Sequence, residues 1–329
     1  MLAAVVIVAC GPSGARVPTA PAPSASTGAP APLPGASAAA SVSPAASATA
    51  VTPTSGKLTL AQARRYMVDL INRDRRTMGL GPVELDEGAP TQSAERHARD
   101  MAANAFLGHW GTDGSVPEQR LTEAGGADMV LENAFCITDE KKRELVGDPR
   151  IDAADVERAE GMFFNEVPPN DGHRKNILKP HHKRVGIGFA LARPAGNEIL
   201  VPCISQEFID VLGTYEPIPR SVKAGSKLHV AGTLVKEVQM GAVGIAKVET
   251  PKPLSTAEAN KRRNYPVPKP DVMYWPAGFT TPLPVLVEGQ HFSIDIPVPG
   301  PGFYEISVWG KRPGDADYAT VSLRTLRVE

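Results

Sequence analysis

An excess of charge is the first thing this chain lacks: over 329 residues the net charge is −1. A nucleic-acid surface therefore has no compositional support. A compact basic run, "NKRRN" at 260–264, lies in a polar stretch and reads as a solvated loop. No His-Glu-x-x-His segment and no Gly-x-Ser-x-Gly elbow occurs, so the common zinc-protease and serine-hydrolase signatures are missing. Long apolar runs are lacking too, since "MLAAVVIVAC" at 1–10 is too short to span a bilayer as a helix. Residues 17–56 contain neither charge nor aromatic ring and consist almost wholly of Ala, Pro, Ser, Thr and Gly. Such a segment cannot bury enough apolar surface to offset its ordering entropy, and disorder is expected, with ends roughly 35 Å apart as a flexible coil.

What is present gives these gaps a pattern. Residues 1–10 suit the apolar region of an export signal, although no Lys or Arg precedes them. Ile7-Val8-Ala9-Cys10 resembles a bacterial lipobox, which implies a lipid on Cys10; an ordinary cleaved signal that contains a cysteine is the alternative. Residues 11–56 would then tether a folded part to a membrane. Two of the three cysteines remain, Cys136 and Cys203. In an exported protein an even remainder points to a disulfide, with two separate buried thiols as the other reading.

Periodicity starts at Lys57. Thr59 with Gln62 three residues later forms a capping box, and Leu60, Ala63, Met67, Leu70 and Ile71 repeat at helical spacing up to Gly79. Further helices are expected over 90–104, 117–126 and 152–166, with a helical turn or two opened by Asp171. Residues 129–137 read as extended, and strands are expected over 184–192 and 198–209 around the turn "RPAGN". The order predicts an α+β domain over 57–213, or an α/β/α sandwich. From 214 onward the alternation has period two, as in "HFSIDIPV", with turns such as "PGPG" between the runs. A smaller all-β domain, immunoglobulin-like in its simplest form, is expected over 214–329.

Seven histidines narrow the site. His229 and His291 fall on solvent faces of strands, His181 and His182 in a basic loop expected to be solvated, and His97 beside an apolar helix face where it packs or caps. His109 in "GHW" and His173 in "GHRKNIL" remain, with Glu132 in "LENAF" and Glu166 in "FFNEV". In order and spacing, "LINRDRR", "AERHARDMA", "GHW", "EN", "FFNE", "GHRKNIL", "VGIGFA" and "SQEF" resemble the CAP superfamily of cysteine-rich secretory, antigen 5 and pathogenesis-related 1 proteins, in its bacterial SCP-domain branch. The resemblance covers roughly half the chain and implies a cleft built from His109, Glu132, Glu166 and His173. Departures include Leu131 where the family often has Gly, Phe163 where it has Trp, and a long charged segment from Cys136 to Asp152 that could reshape the cleft.

Imidazole and carboxylate are the donors that suit zinc or another divalent ion, with His109 and His173 as ligands and Glu132 and Glu166 as further candidates. The same four residues could instead be a polar cluster that holds helices to the sheet. Three functions are compatible with this reading. The foremost is an exported, lipid-anchored binding module for a metal, lipid, peptide or glycan, without a nucleic-acid partner. A metal-assisted hydrolase of peptide or cell-envelope material would use Glu132 or Glu166 as base. A structural or adhesive protein would act through its β domain.

Overall fold

The computed structural model describes residues 56–144, 148–194, 200–262 and 264–329. The apolar segment with Cys10, nearly all of the expected tether and part of the "RPAGN" turn lie outside these residues. In the N-terminal part the order is β1 (Lys57–Thr59), α1 (Leu60–Thr77), β2 (Glu84–Leu85), α2 (Ala89–Asn104), α3 (Pro117–Glu123) and β3 (Val130–Cys136). Then follow β4 (Arg150–Asp152), α4 (Ala153–Phe164), α5 (Gly172–Ile177), β5 (Arg184–Ala192) and β6 (Val201–Ile209). The C-terminal part contains β7 (Gly213–Tyr215), β8 (Ser221–Val222), β9 (Lys227–Leu234), β10 (Gln239–Val248), α6 (Thr256–Lys261) and β11 (Val272–Tyr274). It ends with β12 (Leu286–Glu288), β13 (His291–Pro297), β14 (Gly302–Lys311) and β15 (Ala319–Val328).

The N-terminal sheet runs β2-β5-β6-β3, parallel at β2–β5 and antiparallel elsewhere. Alternation along β5 sets its two faces. Val185, Ile187 and Phe189 join a core with Met67 and Ile71 of α1 and Phe163 of α4. The opposite face carries Gly186 and Gly188, where a Cβ would lie 2.2 Å from the backbone of Pro90 and of Ala94 in α2. Glycine is thus required there because α2 lies directly on the strand. Helices on both faces make this an α/β/α sandwich. Cys136 and Cys203 face each other across β3 and β6 and are joined in a disulfide.

The C-terminal part is all-β apart from α6. One sheet runs β11-β10-β14-β15-β8 and the other β12-β13-β9-β7. Leu228, Phe292 and Ile296 from the second sheet share a single core with Val243, Ile306 and Leu326 from the first, so the two sheets form a sandwich. Between β10 and β11 the chain leaves the sandwich as a strap, described over residues 249–262 and 264–271, which crosses onto the N-terminal domain.

The run expected as a solvated loop at 260–264 does expose Asn260, Lys261 and Asn264, but its first two residues end α6 and it is anchored to the N-terminal domain. Asn260 Oδ1 accepts from the Leu107 amide at 3.0 Å, the Asn264 carbonyl accepts from Trp110 Nε1 at 3.2 Å, and the Arg262 guanidinium lies 4.7 Å from the centre of the Trp110 ring. Ala259 packs with Ala98, Met101 and Phe106. Gly114, at φ +81°, lets the strap pass, because a Cβ there would sit 2.3 Å from the Lys252 carbonyl oxygen. His182 also departs from expectation: it is buried, hydrogen-bonded through Nδ1 to Asp210 at 2.6 Å and stacked on Phe208. Its partner is 28 residues away, beyond the reach of local pattern.

Candidate functional site

The four residues singled out by the resemblance form two His–Glu pairs, both inside the N-terminal domain. Glu132 comes from β3, on the face that carries α2, and His109 from the loop after α2. His109 Nδ1 donates to Glu132 Oε1 at 2.8 Å. Glu166 follows α4, and His173 stands in the first turn of α5, beyond the cis Pro168-Pro169 bond. His173 Nδ1 donates to Glu166 Oε1 at 2.6 Å, and the His173 amide donates to Oε2 at 2.9 Å. A carboxylate only accepts, so in both rings the proton is on Nδ1. All four residues are buried, His109 and Glu132 to 1 % exposure.

Sequence pattern did not reveal what surrounds them. Arg120 of α3 is buried, and its Nη2 donates to Glu132 Oε2 at 2.7 Å while Nη1 donates to the carbonyls of His109 and Ser115. Ser205 donates to the same Glu132 oxygen. His97 packs as expected, with Nε2–H donating to the Gly108 carbonyl at 2.7 Å, but it also lies 3.6 Å from Glu132. Burial works to raise the Glu132 pKa, yet Arg120, His97 and His109 outweigh it and hold this carboxyl well below the usual range. Burial, with the nearby Arg120 cation, pushes His97 down to about 4, so this ring is neutral. Burial likewise lowers His173, against the pull of Glu166.

Zinc sites use three or four protein ligands. Here both oxygens of each glutamate are engaged, which leaves the Nε2 atoms of His109 and His173 as donors facing away from the carboxylates. Among the described residues no group of three or more His, Cys, Asp or Glu side chains is arranged to hold a metal ion. As folded, this donor set does not fit a zinc centre.

The opposite sheet face holds a second polar layer. Asn133 donates to Gln206 Oε1, Gln206 donates to Glu160 Oε2 at 2.8 Å, and Asn176 donates to Asn133 Oδ1, tying α4 and α5 to the sheet. Glu160 is fully buried with Oε1 unpartnered, and burial pushes its carboxyl up to about 8. A raised carboxyl pKa means that the folded state holds the proton more tightly, so stability present below the ordinary value of 4.5 is lost as pH rises through about 8. Glu160→Gln is expected to be near neutral at about pH 4.5 and to stabilise by about 2–4 kcal/mol at about pH 8.5. Urea unfolding of both proteins at the two pH values measures this, and equal shifts at both would refute the assigned burial.

The cleft itself is roofed. Tyr265, from the strap, sets its ring edge against His109, with centroids 5.5 Å apart. Beside it a cleft of about 530 Å³ stays open between the two domains, lined among others by Trp110, Val116 and Glu118 from one side, Tyr265 from the strap, and Phe303 and Glu305 from β14. In the Cys136–Asp152 segment, residues 139–143 are tied to α4 and the residue before it, with Arg143 on Asp155, Asp139 on Arg158 and Lys141 on Asp152. The signal that could have revealed the strap is Ser255-x-x-Glu258, a capping box that opens α6.

The model of the cysteine-rich secretory protein (CAP) family matches residues 68–204. The protein YkwD of Bacillus subtilis, described as uncharacterized, is 27% identical over 138 residues, which are 42% of this chain and 46% of that protein. The chain thus spans about half the length of this relative. Among solved structures, an extracellular SCP-domain protein from Bacillus anthracis is 21% identical, with 47% of this chain and 45% of that one covered and a TM-score of 0.33. MpPR-1i is 15% identical, with 46% and 89% covered and a TM-score of 0.30. The family match takes in most of the sheet, helices on both its faces and both His–Glu pairs, so over residues 68–204 the chain is similar to the CAP family.

Proposed function

We propose that this chain is an extracytoplasmic binding module whose ligand, a peptide, glycan or lipid fragment, enters the cleft between the CAP domain and the C-terminal sandwich. The cleft of about 530 Å³ carries this reading, because aromatic walls and a few converging polar groups are the usual make-up of a ligand site. The His–Glu pairs then brace the CAP side of the cleft rather than contact the ligand. The C-terminal sandwich, which we read as immunoglobulin-like, supplies the facing wall through β14 and the strap. The Cys136–Cys203 disulfide supports an oxidising compartment outside the cytoplasm. A lipid on Cys10 and a tether over 11–56 would hold the module at a membrane.

A hydrolase gains less support. Glu132, held well below the usual carboxyl range beneath Arg120, is a weak base, and both Glu166 oxygens already accept from His173. The full chain, tested on a panel of cell-wall peptides, glycans and lipid vesicles, is expected to retain one class. Trp110→Ala should weaken that retention tenfold or more. No retention by the folded wild type, or equal retention by the variant, would remove the cleft as a binding site.

A further inference from the structure

The floor of the interdomain cleft is acidic and is shared by both domains. Glu118 of α3 and Glu305 of β14 are 1 % and 4 % exposed and lie close enough for their carboxyls to interact. Two buried carboxyls this close resist ionising together, so the pair carries at most one negative charge near neutral pH. Each nevertheless leaves Oε2 without a partner, and Gln119 Oε1 and the Tyr265 hydroxyl are unpartnered as well. All four residues line the cleft. Three of these atoms are carbonyl-type oxygens, and a buried acceptor without a donor costs about 1–3 kcal/mol. The Tyr265 hydroxyl is the one donor among the four, so the floor is short of hydrogen-bond donors.

The protein does not supply them from nearby cations. Arg120, the cation closest in sequence, is committed to Glu132 and to the carbonyls of His109 and Ser115. Arg262 lies over Trp110, and Lys247 Nζ donates to the Pro301 carbonyl at 3.2 Å. The walls above the floor include Trp110, Phe303 and three prolines, 251, 266 and 268, with Lys247, Glu249 and Arg262 also lining the cleft.

Resting on the binding role proposed above, we infer that the cleft takes a ligand that presents a primary ammonium to the Glu118–Glu305 pair and lays an aliphatic or sugar-ring body against Trp110 and Phe303. An ammonium brings three donors and a compensating charge, whereas a hydroxyl brings one donor and none. Aromatic faces attract the same cation. Burial pushes the Glu118 carboxyl up to about 7 and the Glu305 carboxyl well above its usual range, so both favour the neutral form and a bound cation would draw the pair toward ionisation. A lysine-type side chain and an amino sugar both supply this chemistry.

Calorimetric titration of the full chain separates them. The probes are Nα-acetyl-lysine methylamide and glucosamine, each beside a neutral twin, Nα-acetyl-norleucine methylamide and glucose. At least one ammonium probe is expected to bind at a single site, with its twin at least tenfold weaker, and the probe that binds identifies the source. Glu118→Gln keeps the shape and removes the charge, and it should weaken the ammonium probe tenfold or more without changing the twin. Glu305→Gln makes the same test from the other domain if the first variant does not fold. Equal binding of probe and twin, or no binding of either ammonium probe, overturns the inference. In both cases Trp110-dependent retention on the panel decides separately whether the cleft is a binding site.

Discussion

Replacing Arg120 by methionine is expected to destabilise the protein by about 3–5 kcal/mol, the usual cost of stripping one partner from a buried ion pair. Arg120 and Glu132 are each 1 % exposed and meet at 2.7 Å, so water cannot take over the lost contact. The same guanidinium binds the carbonyls of His109 and Ser115, which fixes the loop that carries His109. Three groups thus lose a donor together. Arg120→Lys should recover only part of the loss, because one ammonium cannot reproduce the planar fork.

The pH dependence identifies the cause. In the wild type, Glu132 is held below its ordinary pKa, so its contribution is present above about pH 4.5 and is lost as pH falls. Without Arg120 the buried carboxylate is the liability, and protonation relieves it. The penalty in urea unfolding should therefore be largest near neutral pH and shrink below about pH 4. A penalty that is the same at both pH values would mean that lost packing, and not the ion pair, is responsible.

Much of this architecture could be read from the chain because local and tertiary signals agree. The Thr59–Gln62 capping box starts α1 where expected, and the strand expected over 184–192 is β5 to the residue. Elements of two or three residues, such as β1, β2 and β4, have no periodicity to detect. The strap's contacts are invisible in the sequence for a different reason. Its polar, basic composition matches a solvated loop, and only the groups it meets at Asn104, Leu107 and Trp110, some 150 residues earlier, make it ordered. The two His–Glu pairs were found through the family resemblance, not through spacing. Arg120 carries no mark in sequence that distinguishes it from a solvent-facing helical arginine, since its role depends on a carboxylate from β3.

The disulfide sets the second large effect. Cys136 and Cys203 are 67 residues apart, and closing a loop of that length stabilises by about 4 kcal/mol on the chain-entropy estimate. The enclosed segment contains α4, Glu166, α5, His173 and β5, so reduction frees the whole second His–Glu pair along with the central strand. Both cysteines are buried between β3 and β6 and pack with Met101 and Phe106, so the double Cys→Ala variant also loses some packing. Comparing that variant with the dithiothreitol-reduced wild type separates the two contributions, since the reduced thiols still fill the space. The reduced wild type is expected to melt roughly 10 °C lower than the oxidised protein, from the usual size scaling of the melting temperature. The variant should fall slightly further. A reduced protein within about 1 kcal/mol of the oxidised one would show that the sheet, not the bridge, holds this half of the domain. It would also weaken the case for an oxidising compartment, because a bridge that adds so little stability gives the fold no need of one.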